Sequence, residues 1–128
     1  MGHYGWLIAA FVSVTALAAG LLLMARRRIT PEEKERRRRQ FVNQRGRITD
    51  AVITEVRVVD NPSGAASHWI LYSYDLRGVG YTAAQDITSL LAHISRDPRT
   101  IAGPASVKYL PDNPFNSIVI CERWSGFR

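Results

Sequence analysis

Gly5–Ala25 reads GWLIAAFVSVTALAAGLLLMA, twenty-one residues without one ionisable side chain. A bilayer core of ~30 Å is crossed by ~20 helical residues. A soluble core helix of that length would carry a polar stripe, and this run has none. Tyr4 and Trp6 stand at one end, where amphipathic rings favour the membrane interface. Arg26, Arg27 and Arg28 stand at the other, where long side chains reach the headgroups. The segment therefore reads as a transmembrane anchor over residues 1–25.

A cleaved signal peptide is the competing reading. Met1-Gly2-His3-Tyr4 lacks the positive charge of a signal-peptide start, and the apolar run exceeds a usual h-region, although alanines near its end can imitate a cleavage site. Gly2 invites N-myristoylation, but Trp6 stands where Ser or Thr is needed. Residues 26–47 hold ten basic side chains against three acids, a net of +7, whereas residues 48–128 carry seven bases and eight acids. The positive-inside rule then places the N-terminus outside and residues 26–128 in the cytoplasm. The lone Cys121 agrees with a reducing compartment.

Small residues recur along the span at helical spacing. Ala9, Ser13, Ala16 and Gly20 form one face on which a partner helix, or a second copy in a homo-oligomer, could pack. The plain alternative is an ordinary anchor. No acid, base or histidine interrupts the span, which argues against a proton or ion path built by this chain alone.

Residues 26–45 form a basic juxtamembrane segment. Thr30-Pro31-Glu32-Glu33 announces a helix start, with Thr30 as cap, Pro31 in the first turn and Glu33 closing a capping box. Gly46 marks its end. Arg36, Arg37, Arg38 and Arg39 span more than one turn and cannot share one narrow face. Three uses are open: a solvated topology determinant, adhesion of these arginines and Arg26–Arg28 to anionic lipid headgroups, or docking to an acidic partner or nucleic acid. Aromatics are not interleaved with the arginines as on a single-strand-binding surface, so nucleic acid is the weakest of them.

Residues 46–122 read as a small β domain. Ile48–Val59 is rich in β-branched residues, with Glu55 and Arg57 on one face and Val52, Val56 and Val58 on the other. Ile70, Tyr72, Tyr74 and Leu76 alternate onto one face of a second strand, and Arg77-Gly78-Val79-Gly80 turns into a third, Tyr81–Ile87. Leu90, Leu91 and Ile94 suit a short helix or turn. Ala105–Leu110 and Ser117–Glu122 complete the set, separated by a turn at Pro111-Asp112-Asn113-Pro114. The fold class is one transmembrane α-helix plus a small, mainly antiparallel, five-stranded barrel-like sheet.

Three motifs stand in order. Gly46-Arg47-Ile48-Thr49-Asp50-Ala51-Val52-Ile53 opens the first strand, Tyr72-Ser73-Tyr74-Asp75 with Gly78-Val79-Gly80-Tyr81 forms a hairpin, and Val107-Lys108-Tyr109-Leu110-Pro111-Asp112-Asn113-Pro114 leads to the last strand. Together with one preceding span, they resemble the bacterial membrane-anchored family known as domain of unknown function 3592, over about residues 46–121. Many members of that family carry more than one span, and the Arg-rich helix is a departure. The resemblance implies the bacterial inner membrane and this architecture. It implies no established chemistry.

The residues themselves announce little chemistry. His3, His68 and His93 lack metal-site spacing, and one cysteine cannot form a zinc cluster. Neither a phosphate-binding glycine loop nor a hydrolase nucleophile motif is present. No cofactor, metal or catalytic residue is expected. Trp69, Tyr81, Trp124 and Phe127 exceed what five short strands need for a core, and aromatics of this kind anchor interfaces, with Trp69, Trp124 and Phe127 the expected partner contacts. Residues 123–128 read as an aromatic tail that either docks on a partner or folds back on the barrel. The function expected is a non-catalytic accessory subunit of a membrane protein complex. The alternative is a stand-alone membrane-anchored module that binds a ligand or signals.

Overall fold

Strand-forming alternation fills the C-terminal two-thirds of the chain, and an apolar helix fills the start. The computed structural model describes residues 2–26 and 28–128. The chain divides into two compact units, Met1–Lys34 and Glu35–Arg128.

The first unit contains α1, His3–Arg26, which is long and apolar enough to cross a membrane. Its side chains from Tyr4 to Arg26 are exposed, Trp6 at 81% and Phe11 at 73%. The unit ends in the first turn of α2, Pro31–Arg45. Thr30 caps that turn as its sequence predicts: its Oγ1 accepts from the Glu33 N–H at 3.2 Å.

The second unit carries the rest of α2 and a sheet of five strands: β1 Arg47–Asp60, β2 Ala66–Leu76, β3 Val79–Asp86, β4 Gly103–Leu110 and β5 Asn113–Ile118. Their order is β3-β2-β1-β4-β5, antiparallel throughout, and the sheet curls until it is nearly closed. The expected helix-plus-small-β-domain architecture is the one observed. A second ribbon, β6 Ile120–Cys121 and β7 Trp124–Ser125, leaves the sheet after a bend at Val119. The predicted fifth strand, Ser117–Glu122, is thus divided between β5 and β6.

Inside the barrel lie Ala51, Ile53, Ile70, Tyr72, Tyr74, Ile87, Leu90, Ala105, Val107, Val119 and Ile120. The alternation read for β2 holds, with Ile70, Tyr72 and Tyr74 buried. The one read for β1 does not. A bulge between Ile53 and Glu55 inserts Thr54 and reverses the faces. Ala51 and Ile53 point inward before it and Val56 after it, while Val52 and Val58 are exposed.

The β2–β3 hairpin turns on Arg77 and Gly78, both at positive φ (54° and 84°), as a two-residue turn of matching twist requires. Residues 88–93 form the short helical turn, which seats Leu90 in the core. Asn113 and Pro114, expected in a turn, already belong to β5.

Candidate functional site

Three regions bear on function: one face of α1, the seating of α2 on the barrel, and the gap between the edge strands β3 and β5.

On α1, Ala9, Ser13, Ala16 and Gly20 share a face. Ser13 Oγ donates to the Ala9 carbonyl at 2.7 Å, so its hydroxyl is satisfied within the helix. Ala16, Leu17, Gly20, Leu21 and Met24 line an apolar groove of ≈ 380 Å³. A Cβ added at Gly20 would meet no atom within 4 Å. The chain's own packing therefore gives no reason for glycine there. Arg26 and Arg28 are exposed beyond the apolar run, while Arg27 lies outside the described residues.

The four-arginine run divides its labour. Arg38 turns onto the barrel, where Nη1 donates to Asn116 Oδ1 at 2.8 Å and to the Ser117 carbonyl at 3.1 Å. Its Nε and Nη2 make a bidentate pair with Glu35 at 2.9 and 2.7 Å. Burial alone would lower the guanidinium's pKa, but the bond and charge of Glu35 outweigh it and the net shift is upward. Arg39 is 3% exposed and donates to Glu122 Oε1 at 2.6 Å. Burial alone would raise the Glu122 carboxyl, yet Arg39's bond and charge, with that of Arg36, hold it below the ordinary range. The expectation that Arg38 and Arg39 meet lipid headgroups is corrected: partners on β5 and the 119–124 segment occupy both. Arg36 and Arg37 face outward.

Between these bonds, Val42 is fully buried with Ile118 and Cys121, and the half-buried Leu110 and Trp124 pack around them. Lys108 Nζ donates to Asn43 Oδ1 at 2.7 Å and stands 4.8 Å from the Trp124 ring centre. From Glu35 onward, α2 is thus part of the β module. Positions 35, 38, 39 and 42 carry a helical period that predicts one seated face, but its polar members disguise it.

The gap between β3 and β5 is closed by side chains. Gln85 is 1% exposed; its Nε2 donates to the Ile120 carbonyl at 2.6 Å and its Oε1 accepts from the Val119 N–H at 2.8 Å. The amide thus replaces a rung of the missing ladder. Ser117 Oγ lies 2.8 Å from the Tyr72 hydroxyl and accepts from that of Tyr74 at 3.1 Å. Burial pushes the Tyr72 hydroxyl up to about 12, against a lesser opposing effect of the Ser117 bond, and burial raises Tyr74 as well. The Tyr74 ring stacks on Tyr72, Tyr81 and Tyr109, and Tyr81 meets Phe115 edge-on at 5.0 Å. Over this gap lies a cleft of ≈ 300 Å³, lined by Glu35, Arg38, Trp69, Gln85, Asp86 and Phe115 among others. Trp69 is 36% exposed and Phe115 65%.

The aromatic tail folds back. Gly126 donates to the Val119 carbonyl at 2.8 Å and accepts from the Ser106 N–H at 2.7 Å. A Cβ at that position would run into the Ser106 carbonyl, so only glycine fits. Phe127 bridges Ala105 and packs on the core, and Arg128 bonds Asp50 and Ser106. Trp124 and Phe127 are therefore structural anchors, and not the free docking peptide that was one sequence reading. Trp69 keeps an outward position. Gln85, Asn43 and Val42 were missed by sequence reasoning; only the helical spacing through Val42 carried a signal.

Among the described residues, no group of three or more His, Cys, Asp or Glu could hold a metal ion. The polar groups brought together at the gap are bonded mainly to one another. No family model, no curated protein and no solved structure matches this chain.

Proposed function

We propose that this chain is a non-catalytic accessory subunit of a membrane protein complex, held by α1 in a bacterial cytoplasmic membrane with the β module in the cytoplasm. The observation that carries the reading is α1 itself: a helix of 24 residues whose stretch from Tyr4 to Ala25 has no charged side chain and is exposed throughout. Such a surface belongs in lipid and against other helices. The orientation is supported by the arginine-rich stretch that follows α1 and by the lack of basic side chains before it. Membership of the module in the 3592 family is part of the same proposal, supported by its three ordered motifs.

Partner contact is assigned to two surfaces. In the membrane it is the groove around Ala16 and Gly20, where close approach favours packing. On the module it is the cleft flanked by Trp69 and Phe115, exposed aromatics of the kind that anchor interfaces. The test is the double substitution Ala16→Leu/Gly20→Leu in a tagged full-length chain, purified in mild detergent. Loss of co-purifying partners with unchanged membrane integration is the expected result. Unchanged retention in this variant and in Trp69→Ala/Phe115→Ala would remove both surfaces from the reading.

A further inference from the structure

The cleft between β3 and β5 is lined by three charged side chains, of which two cancel. Arg38 and Glu35 form their bidentate pair, and the guanidinium's other bonds go to Asn116 and Ser117. Asp86 is the third. Its Oδ1 accepts from the Thr88 N–H at 2.9 Å and from the Thr88 hydroxyl at 2.6 Å, both neutral donors. Among the described residues no cation pairs with it. Trp69 stands directly opposite Asp86 on the neighbouring strand. Ile70 and Tyr72 point into the barrel, so Trp69 and Asp86 share its outer face. Arg57, opposite Trp69 on β1, is already paired with Glu55 at 2.9 Å. Phe115 brings a second exposed ring from the β5 side.

We infer that this cleft takes one arginine side chain of a partner protein, its guanidinium bonded to Asp86 and laid against the Trp69 and Phe115 rings. The inference rests on the proposed use of the cleft as a partner surface and names what enters it. Charge complementarity selects a cation, because Arg38 and Glu35 neutralise each other and the Asp86 carboxylate is left over. The two rings select the same charge, since aromatic faces attract cations. Arginine suits the site better than lysine: its flat, weakly hydrated guanidinium can lie on a ring while it donates to a carboxylate. The volume of ≈ 300 Å³ lies at the lower end of ligand sites and suits one long side chain, not a helix.

The test uses the full-length, nitrogen-15-labelled chain in mild detergent. The indole N–H resonance of Trp69, identified by its loss in Trp69→Phe, is followed while a blocked glycine-arginine-glycine peptide is added. The same peptide with neutral citrulline in place of arginine, and tetramethylammonium, are the comparison probes. Expected is a saturable shift with the arginine peptide, weaker by about 10-fold or more with citrulline and in Asp86→Asn. The citrulline comparison uses the unaltered chain and does not depend on how the variant folds. Equal affinity for both peptides, or no shift with any probe, overturns the inference. Tetramethylammonium binding as tightly as the arginine peptide overturns it in favour of a small ammonium ligand. Partner retention in mild detergent separates the inference from the reading beneath it. Both Asp86→Asn and Trp69→Ala/Phe115→Ala should lower retention. Loss in the aromatic variant alone overturns the arginine and leaves the cleft a partner surface, whereas full retention in both removes the cleft as well.

Discussion

Gln85 on β3 is bound to Ile120 across the open edge of the barrel, its Nε2 2.6 Å from the Ile120 carbonyl oxygen. The same amide accepts from the Val119 and Ile120 N–H groups, so one buried side chain answers three backbone groups at this edge. Gln85 shares the closure of the sheet with the Tyr72 and Tyr74 hydroxyls at Ser117 and the Tyr81–Phe115 ring contact.

Gln85→Leu keeps the approximate volume and leaves the Val119 N–H and Ile120 carbonyl without this partner. The expected loss is about 2–4 kcal/mol. Thermal unfolding of the full chain in mild detergent, followed by near-ultraviolet circular dichroism, should show a melting temperature lower by roughly 8 °C or more. A change within error would mean that the edge is closed by other contacts.

The Arg39–Glu122 pair holds α2 to the module. Replacing one partner strands the other charge, so Glu122→Met and Arg39→Met should each destabilise by about 1–3 kcal/mol. The Arg39→Met/Glu122→Met double variant should recover much of that, and a double-mutant cycle reads the coupling. Additive losses would contradict a direct pair.

Glu122 also sets an acid limb. Its carboxyl is held below its ordinary value of 4.5 in the folded chain. The unfolded chain therefore takes up the proton first, and stability falls as pH drops below 4.5 through the folded pKa. Glu122 is partly solvated, so the limb is shallow. In Glu122→Gln it should be shallower still; identical acid limbs would assign it to other carboxyls.

Tyr72 sets the alkaline limb. Its folded value of about 12 exceeds the ordinary 10.0, so the folded chain keeps a proton that the unfolded chain loses. Stability should fall between those two values as pH rises. Tyrosinate absorbance should show Tyr72 titrating above 10.0 and together with unfolding, and Tyr72→Phe should flatten the limb. Ionisation of all five tyrosines near 10.0 in a folded chain would contradict its burial.

Gly126→Ala should loosen the tail, because its methyl group would enter the space of the Ser106 carbonyl. The expected loss is about 1–3 kcal/mol, with a red shift in tryptophan emission as Trp124 leaves the Val42, Ile118 and Cys121 cluster. An unshifted spectrum at full stability would place the tail elsewhere.

These features differ in how far the sequence discloses them. Ile70, Tyr72 and Tyr74 declare their strand because alternation is local, and α1 declares itself by composition. The bulge at Thr54 is invisible because it depends on the register with Leu71 and its neighbours on β2. The fates of Arg38 and Arg39 depend on Asn116, Ser117 and Glu122, about 80 positions away, and charge alone sends all four arginines outward. Gln85 reads as a polar strand residue until the edge it closes is seen. Trp124 and Phe127 suit a docking tail and a folded-back one equally in sequence, and the tight approach of Gly126 to Ser106 decides for the second.

The central claim is that this chain is one subunit of a larger membrane assembly. Native mass spectrometry of the tagged full-length chain, extracted from its own membrane in mild detergent, tests it most directly. The account predicts a particle heavier than the 14.4 kDa chain, containing other membrane proteins in constant ratio to it. A particle containing this chain alone, as monomer or homo-oligomer, would contradict it.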